Sequence, residues 1–302
     1  MSEQMSLMLF DKNDPRKNGH DQDGATGRDI MCIIRMFVQM GLPHRIYKQD
    51  TFTRVNGRES ITIQSGVIDD GKMAGIPYGT YPRLLNGWLT TCAVRTNTRH
   101  IEIPMPIKQL ARDIQVTSGC IQTNVINELL EQSEKLLASK LSYLITRNGV
   151  IETHRMLISD FAKFYKKGPT VAEVSLSDTY FKSIIANPVP INFQVLRRLA
   201  AGSKSALCMD LFVLLSYETF KINQYDGRNP QRYIPFVGLM DQLGTHYDKN
   251  SEDGPKNFGR EVRKCLGKVL KEHPFNIKIS NKSGIIVFPC QFLPVKPKDY
   301  EF

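Results

Sequence analysis

The sequence predicts an α+β fold built from two winged helix-turn-helix units in tandem. Three observations lead there. An element order of helix, strand, short helix, long helix and hairpin occurs twice along the 302 residues. The second copy contains a basic amphipathic segment, Lys256 to Lys271. Lys and Arg number 40 against 30 Asp and Glu, and the net charge of +10 favours a polyanionic partner.

Residues 1–27 read as a mobile N-terminal arm, because 11–29 are polar and Gly-rich with no apolar period. From Arg28 to Met40 the apolar residues are dense enough for a buried helix, stopped by Gly41 and Pro43. Phe52–Val55 and Ile61–Gln64 alternate around the turn signal Asn56-Gly57, which predicts a hairpin. Tyr81 to Thr96 reads as a long helix with Pro82 in its first turn. A short strand at Ile101–Ile103 and a short helix from Pro106 to Ile114 follow. After a Thr117-Ser118-Gly119 turn comes a long helix from Cys120 to Leu137. Tyr143–Ile145 and Val150–Ile158 bracket Asn148-Gly149 as a second hairpin. A strand at Val171–Leu176 and a helix at Asp178–Ala186 close the first copy.

Asn187-Pro188-Val189-Pro190 is stiff and cannot continue a helix, so it reads as a linker. Beyond it the sequence predicts helices at Asn192–Ala200 and Leu207–Phe220, a strand at Tyr233-Ile234 and a short helix at Val237–Leu243. The basic helix and a hairpin, Asn276–Ile279 with Ile285–Phe288, complete the order. The resulting division is a first winged-helix domain over 28–187, a second, DNA-binding one over 188–296, and a tail over 297–302.

In the basic segment, Phe258, Val262, Cys265, Leu266 and Val269 fall on one helical face. Lys256, Arg260, Arg263, Lys264 and Lys271 gather opposite, with Lys268 at the edge of that arc. Such a helix docks on a core and presents a positive ridge, and a helix fits the DNA major groove between its phosphates. A solvated Lys-rich surface helix would give the same pattern. Asn257 flanks the ridge, and Lys278 and Lys282 on the last hairpin suit backbone contacts. In the first copy the long helix carries Glu128, Glu131 and Glu134, which phosphates would repel. Its first turn, with Ser118, Gln122, Thr123 and Asn124, is polar and uncharged and suits base edges.

Several blocks carry a resemblance. Leu42-Pro43-His44, Val55-Asn56-Gly57, Ile61–Gly66 and Gly75–Leu84 resemble the plasmid-encoded RepA-type replication initiators, as do Trp88–Thr96, Asn187–Asn192 and Met209–Tyr217. The resemblance spans roughly residues 30 to 290. It implies an initiator that binds repeated sites (iterons) in double-stranded origin DNA, helps open the duplex, and recruits the host replication initiator and replicative helicase. It also implies a homodimer that represses its own gene. A winged-helix transcriptional repressor without initiator activity is the alternative.

Other chemistry finds little support. Gly66–Met73 departs from the phosphate-loop pattern because Met73 replaces the hydroxyl that would hold magnesium. The six histidines include no His-x-His pair, and no Ser or Cys nucleophile has a visible partner, so no enzyme activity, cofactor or metal is expected. The six scattered cysteines show no CxxC and read as small buried hydrophobes in a reducing cytoplasm. No apolar run approaches membrane-spanning length, and Met1–Phe10 lacks the basic start of a secretory signal, so the expectation is a cytoplasmic protein with no membrane partner. Trp88, Phe212 and Tyr217 read as core, and Arg83 and Arg95 as surface charge.

Overall fold

The computed structural model describes residues 30–290 apart from 69–70, 104–106, 115–121, 164–171, 204, 226, 245–246 and 281–283. In chain order the first elements are β1 (Ile30–Ile34), α1 (Arg35–Gln39), β2 (Thr51–Asn56), β3 (Glu59–Gln64), α2 (Tyr81–Thr96), β4 (His100–Ile103) and α3 (Ile107–Asp113). There follow α4 (Thr123–Ala138), β5 (Lys140–Arg147), β6 (Val150–Leu157), β7 (Ser159–Lys163), β8 (Ala172–Leu176), α5 (Asp178–Ala186) and β9 (Pro188–Asn192). The remainder are α6 (Phe193–Ser203), α7 (Ala206–Asn223), β10 (Arg232–Pro235), α8 (Phe236–Leu243), α9 (Asp253–Glu272), β11 (Ile277–Ile279) and β12 (Gly284–Val287). The predicted arm and tail, residues 1–27 and 297–302, lie outside the described residues.

The opening stretch corrects the expectation of one helix over Arg28–Met40. An unbroken apolar run has no period with which to separate a strand from a buried helix. Here Ile30–Ile34 forms a strand, buried at all five positions. It pairs antiparallel with β9, Ile30 opposite Asn192 and Ile34 opposite Pro188. The expected linker at Asn187–Pro190 is corrected by the same pairing. Prolines at 188 and 190 cannot donate to a ladder, yet a sheet of two strands leaves each strand a free edge where that costs little. The strand lies against α2 at Gly87, where a Cβ would stand 2.3 Å from the Met31 sulfur. The Cys32 amide donates to Thr91 Oγ1 at 2.9 Å, so strand and helix are also joined by a hydrogen bond.

Both hairpins predicted from Asn-Gly turns form, and each turns where the sequence signals it: Gly57 has φ +60°, and Asn148 and Gly149 have φ +50° and +78°. They combine into one antiparallel sheet of order β2-β3-β5-β6. Its inner face buries Phe52, Ile61, Ile63 and Leu141, while Thr53, Val55 and Thr153 on the other face are exposed.

Two three-stranded sheets share a rule. In the second half the order is β10-β12-β11, so the strand before the short helix pairs with the last strand of the closing hairpin. In the first half the order is β4-β8-β7, built the same way. The strand pair corresponding to the second half's hairpin is therefore β7–β8, and β5–β6 is an insertion ahead of it. The sequence hides β7 because all but one of its side chains are exposed and the other is half-buried, so no alternation marks it.

One apolar cluster runs from Met31 to Val287 and includes Trp88, Phe212 and Tyr217. At its centre α7 is buried on nearly every face, from Ala206 to Thr219. A helix apolar all round belongs inside a core. Burial pushes the Cys32 and Cys92 thiols up to about 11 and about 12, which keeps them protonated packing groups.

Candidate nucleic-acid interface

The ridge predicted over Lys256–Lys271 is one continuous helix, α9, whose Phe258, Val262, Cys265, Leu266 and Val269 are all buried. That face docks on α7, α6 and α8. The opposite face is open: Lys256, Asn257, Arg260, Lys264 and Lys271 are exposed, and Arg263 and Lys268 half-buried. The helix thus spends its apolar residues on the core and its cations on solvent.

The cations differ in how firmly they are held. Arg260 Nη2 donates to Asn257 Oδ1 at 2.5 Å, one turn back along the helix. The Arg263 guanidinium lies over the Phe236 ring, 5.0 Å from its centroid, so the first residue of α8 holds a side chain of α9. Lys256 Nζ is 2.9 Å from Glu252 Oε1 in an exposed pair. Lys264, Lys268 and Lys271 have no ion pair among the described residues. Two oriented guanidinium forks among solvent-facing lysines can address base edges and phosphates respectively. Lys278 is exposed on β11 next to this surface in sequence, while Lys282 lies outside the described residues.

In the first half, Gln122, Thr123 and Asn124 are exposed at the start of α4, and Ser118 lies outside the described residues. Glu128, Glu131 and Glu134 are exposed along the same helix. Lys135 pairs with Glu131 at 2.6 Å and covers the Tyr78 ring, so it adds no free cation to this side.

The sequence reading of Arg83 as surface charge is corrected. Its side chain is 9 % exposed and its fork meets both carboxylate oxygens of Asp210, Nε to Oδ1 at 2.6 Å and Nη2 to Oδ2 at 2.7 Å. The same guanidinium donates to the carbonyls of Leu42, Pro43 and Gly79. His44 Nε2 lies 2.9 Å from Asp210 Oδ2. Gly41 allows this closeness, since a Cβ there would stand 2.3 Å from Asp210 Oδ2. Arg95 is half-buried and donates to the Ile30 carbonyl at 3.2 Å. Sequence reading missed Phe236 as the support of Arg263, and named Asn257 beside the ridge without its hydrogen bond to Arg260. The one available signal was Asn257 three residues before Arg260, a spacing that puts both on one helix face.

Near the Gly66–Met73 stretch, Val67 bridges Met73 and the Ile68 amide donates to the Lys72 carbonyl at 2.8 Å, which makes it a turn. Among the described residues no three His, Cys, Asp or Glu side chains come together in a way that could hold a metal ion. No helix among them is long and apolar enough to cross a membrane.

These features define an α+β chain with a cationic helix turned outward from a core shared by both halves. The chain belongs to the family described as plasmid encoded RepA protein, whose pattern matches residues 76–234, just over half its length. The matched span takes in Arg83 and Asp210 and ends before α8 and α9. Among solved structures, the chain is similar to RctB domains 2 and 3. One crystal structure of them, of selenomethionine derivatives, aligns with a TM-score of 0.53 at 8 % identity, covering 82 % of this chain and 94 % of that one. A second aligns with a TM-score of 0.52 at 8 % identity, covering 84 % and 96 %. At that identity the likeness concerns the fold. No curated protein matches the sequence.

Proposed function

We propose that the protein is a plasmid replication initiator that binds repeated sites in double-stranded origin DNA through two winged helices. Membership of the plasmid-encoded RepA family supports the initiator role. The observation that carries DNA contact is α9, docked by five buried apolar residues and exposing Lys256, Arg260, Lys264 and Lys271. In this reading α8 and α9 form the helix-turn-helix, α9 enters the major groove, and β11–β12 leans on the backbone. The matching sheet orders β10-β12-β11 and β4-β8-β7 support the same unit in each half. In the first half α4 dips only its uncharged first turn towards the bases, because Glu128, Glu131 and Glu134 keep the rest of the helix away from phosphate. The protein acts in the cytoplasm without catalysing chemistry, helps open the origin and hands it to the host initiator and helicase.

A plasmid-maintenance assay tests this role. A plasmid carrying the origin and wild-type gene is expected to persist, and one encoding Arg260→Ala with Lys264→Ala to disappear from the culture. Persistence of the double variant at wild-type copy number would contradict the role given to α9.

A further inference from the structure

A cleft of about 210 Å³ lies between the inner face of the β2-β3-β5-β6 sheet and the end of α5. It is separate from the exposed face of α9 and from the Arg83–Asp210 pair. Its floor is apolar, with Met36, Ile145 and Met156. Its walls are basic. Arg35 enters from α1, Arg147 stands two residues beyond Ile145 on β5, and His154 lies opposite Tyr143 on β6.

Arg35 is incompletely satisfied. Its Nε is buried without a hydrogen-bond partner among the described residues. Its Nη2 donates to Glu59 Oε1 at 3.5 Å, a long and weak hydrogen bond. The second Glu59 oxygen already accepts the Tyr143 hydroxyl at 2.6 Å. Arg147 and His154 are exposed at the mouth and have no carboxylate partner among the described residues. The Arg35 side chain is 37 % exposed, so its guanidinium still has donors open to the cleft, where an acceptor group would make charge-assisted hydrogen bonds.

Two guanidinium groups and an imidazole converging on one space match the several acceptor oxygens of a phosphate. Glu59, partly committed, adds a carboxylate that can accept from a hydroxyl, and Asn187 at the end of α5 adds a neutral amide. The apolar floor suits a flat ring or sugar face. Basic wall, hydroxyl acceptor and apolar floor are the three surfaces of a phosphorylated nucleoside. The volume falls below that of a typical pocket of about 300–1,000 Å³, so only a mononucleotide-sized body fits.

We propose that this cleft binds a small phosphorylated ribose compound, with Arg35, Arg147 and His154 on the phosphate and Glu59 on a ribose hydroxyl.

The test is titration calorimetry of the full chain with AMP and GMP, and with adenosine and inorganic phosphate as controls. Saturable binding of a nucleotide is expected, weakened about tenfold or more by Arg147→Gln, because removing a charge-assisted hydrogen bond costs that much. Arg35→Gln should weaken it further, and if that variant fails to fold, the exposed Arg147 carries the test alone. Adenosine should bind at least about tenfold more weakly than AMP for the same reason. No saturable binding of either nucleotide, or equal binding by wild type and Arg147→Gln, overturns the proposal. Inorganic phosphate binding as tightly as AMP overturns the ribose part. Origin-DNA binding by Arg147→Gln should equal that of wild type, which separates this site from the α9 surface.

Discussion

The guanidinium of Arg83, on α2, grips both oxygens of Asp210, on α7, at 2.6 and 2.7 Å. This contact joins the two halves of the chain, 127 residues apart, inside one core. It also draws together residues from stretches distant in sequence. Leu42-Pro43 and Gly79 give carbonyls to Arg83, His44 reaches Asp210, and Gly79 (φ +80°) turns the backbone so that its own amide donates to the Pro43 carbonyl at 3.0 Å. Together these residues make the buried junction between the two halves.

Removing one partner strands the other charge. Arg83→Met or Asp210→Leu should each destabilise the protein by about 3–5 kcal/mol, whereas the double variant should recover most of that stability. Urea unfolding of the three variants checks this, and purely additive effects would contradict it.

Acid should weaken the junction in a defined window. Burial lowers the His44 pKa below its ordinary value, with the Asp210 hydrogen bond and charge opposing. For Asp210, burial opposes ionisation, but the Arg83 charge and the hydrogen bonds from Arg83 and His44 hold its carboxyl below the usual range. Both groups bind fewer protons folded than unfolded, so stability falls as pH falls. The His44 contribution is complete above about pH 6.5 and is lost on acidification below it; that of Asp210 follows below about pH 3.9. His44→Gln should flatten the slope of stability between about pH 6.5 and 5, where wild type declines. An unchanged slope would show that His44 does not titrate across folding.

Glycines at two positions should respond oppositely to alanine. At Gly41 a Cβ would press on Asp210 Oδ2 at 2.3 Å, and Gly41→Ala should lower the melting temperature. At Gly267, in α9, nothing lies within 4 Å of the added carbon. Gly267→Ala should stabilise by about 0.5–1 kcal/mol through helix propensity.

Phe236 holds Arg263 by stacking, 5.0 Å from ring centroid to guanidinium. Phe236→Leu keeps an apolar residue there but removes the ring beneath the guanidinium. Origin binding should weaken about two- to fivefold, as removal of a cation–π interaction of about 0.5–1 kcal/mol implies, while binding to random duplex stays constant. Equal weakening on both DNAs would place Arg263 on phosphate instead.

The sequence made α9 legible because its apolar residues and its cations separate cleanly by helical period. The hairpins β2–β3 and β5–β6 were legible from their Asn-Gly turns. Failures came where no period exists. Ile30–Ile34 is apolar throughout, and only its pairing with a proline-bearing strand far along the chain makes it a strand. The β7 strand is almost wholly exposed and carries no alternation. Arg83 looked like surface charge because its counter-ion lies on another helix, beyond the reach of any local pattern.

The most direct test of the central reading is binding of purified protein to its own origin DNA and to a random duplex across a salt series. Repeated, origin-selective binding is expected. Arg260→Ala with Lys264→Ala should weaken it and reduce the salt slope by about 0.9 for each phosphate left without its cation. If the double variant binds origin DNA with wild-type affinity and salt dependence, α9 is not the DNA-contacting helix.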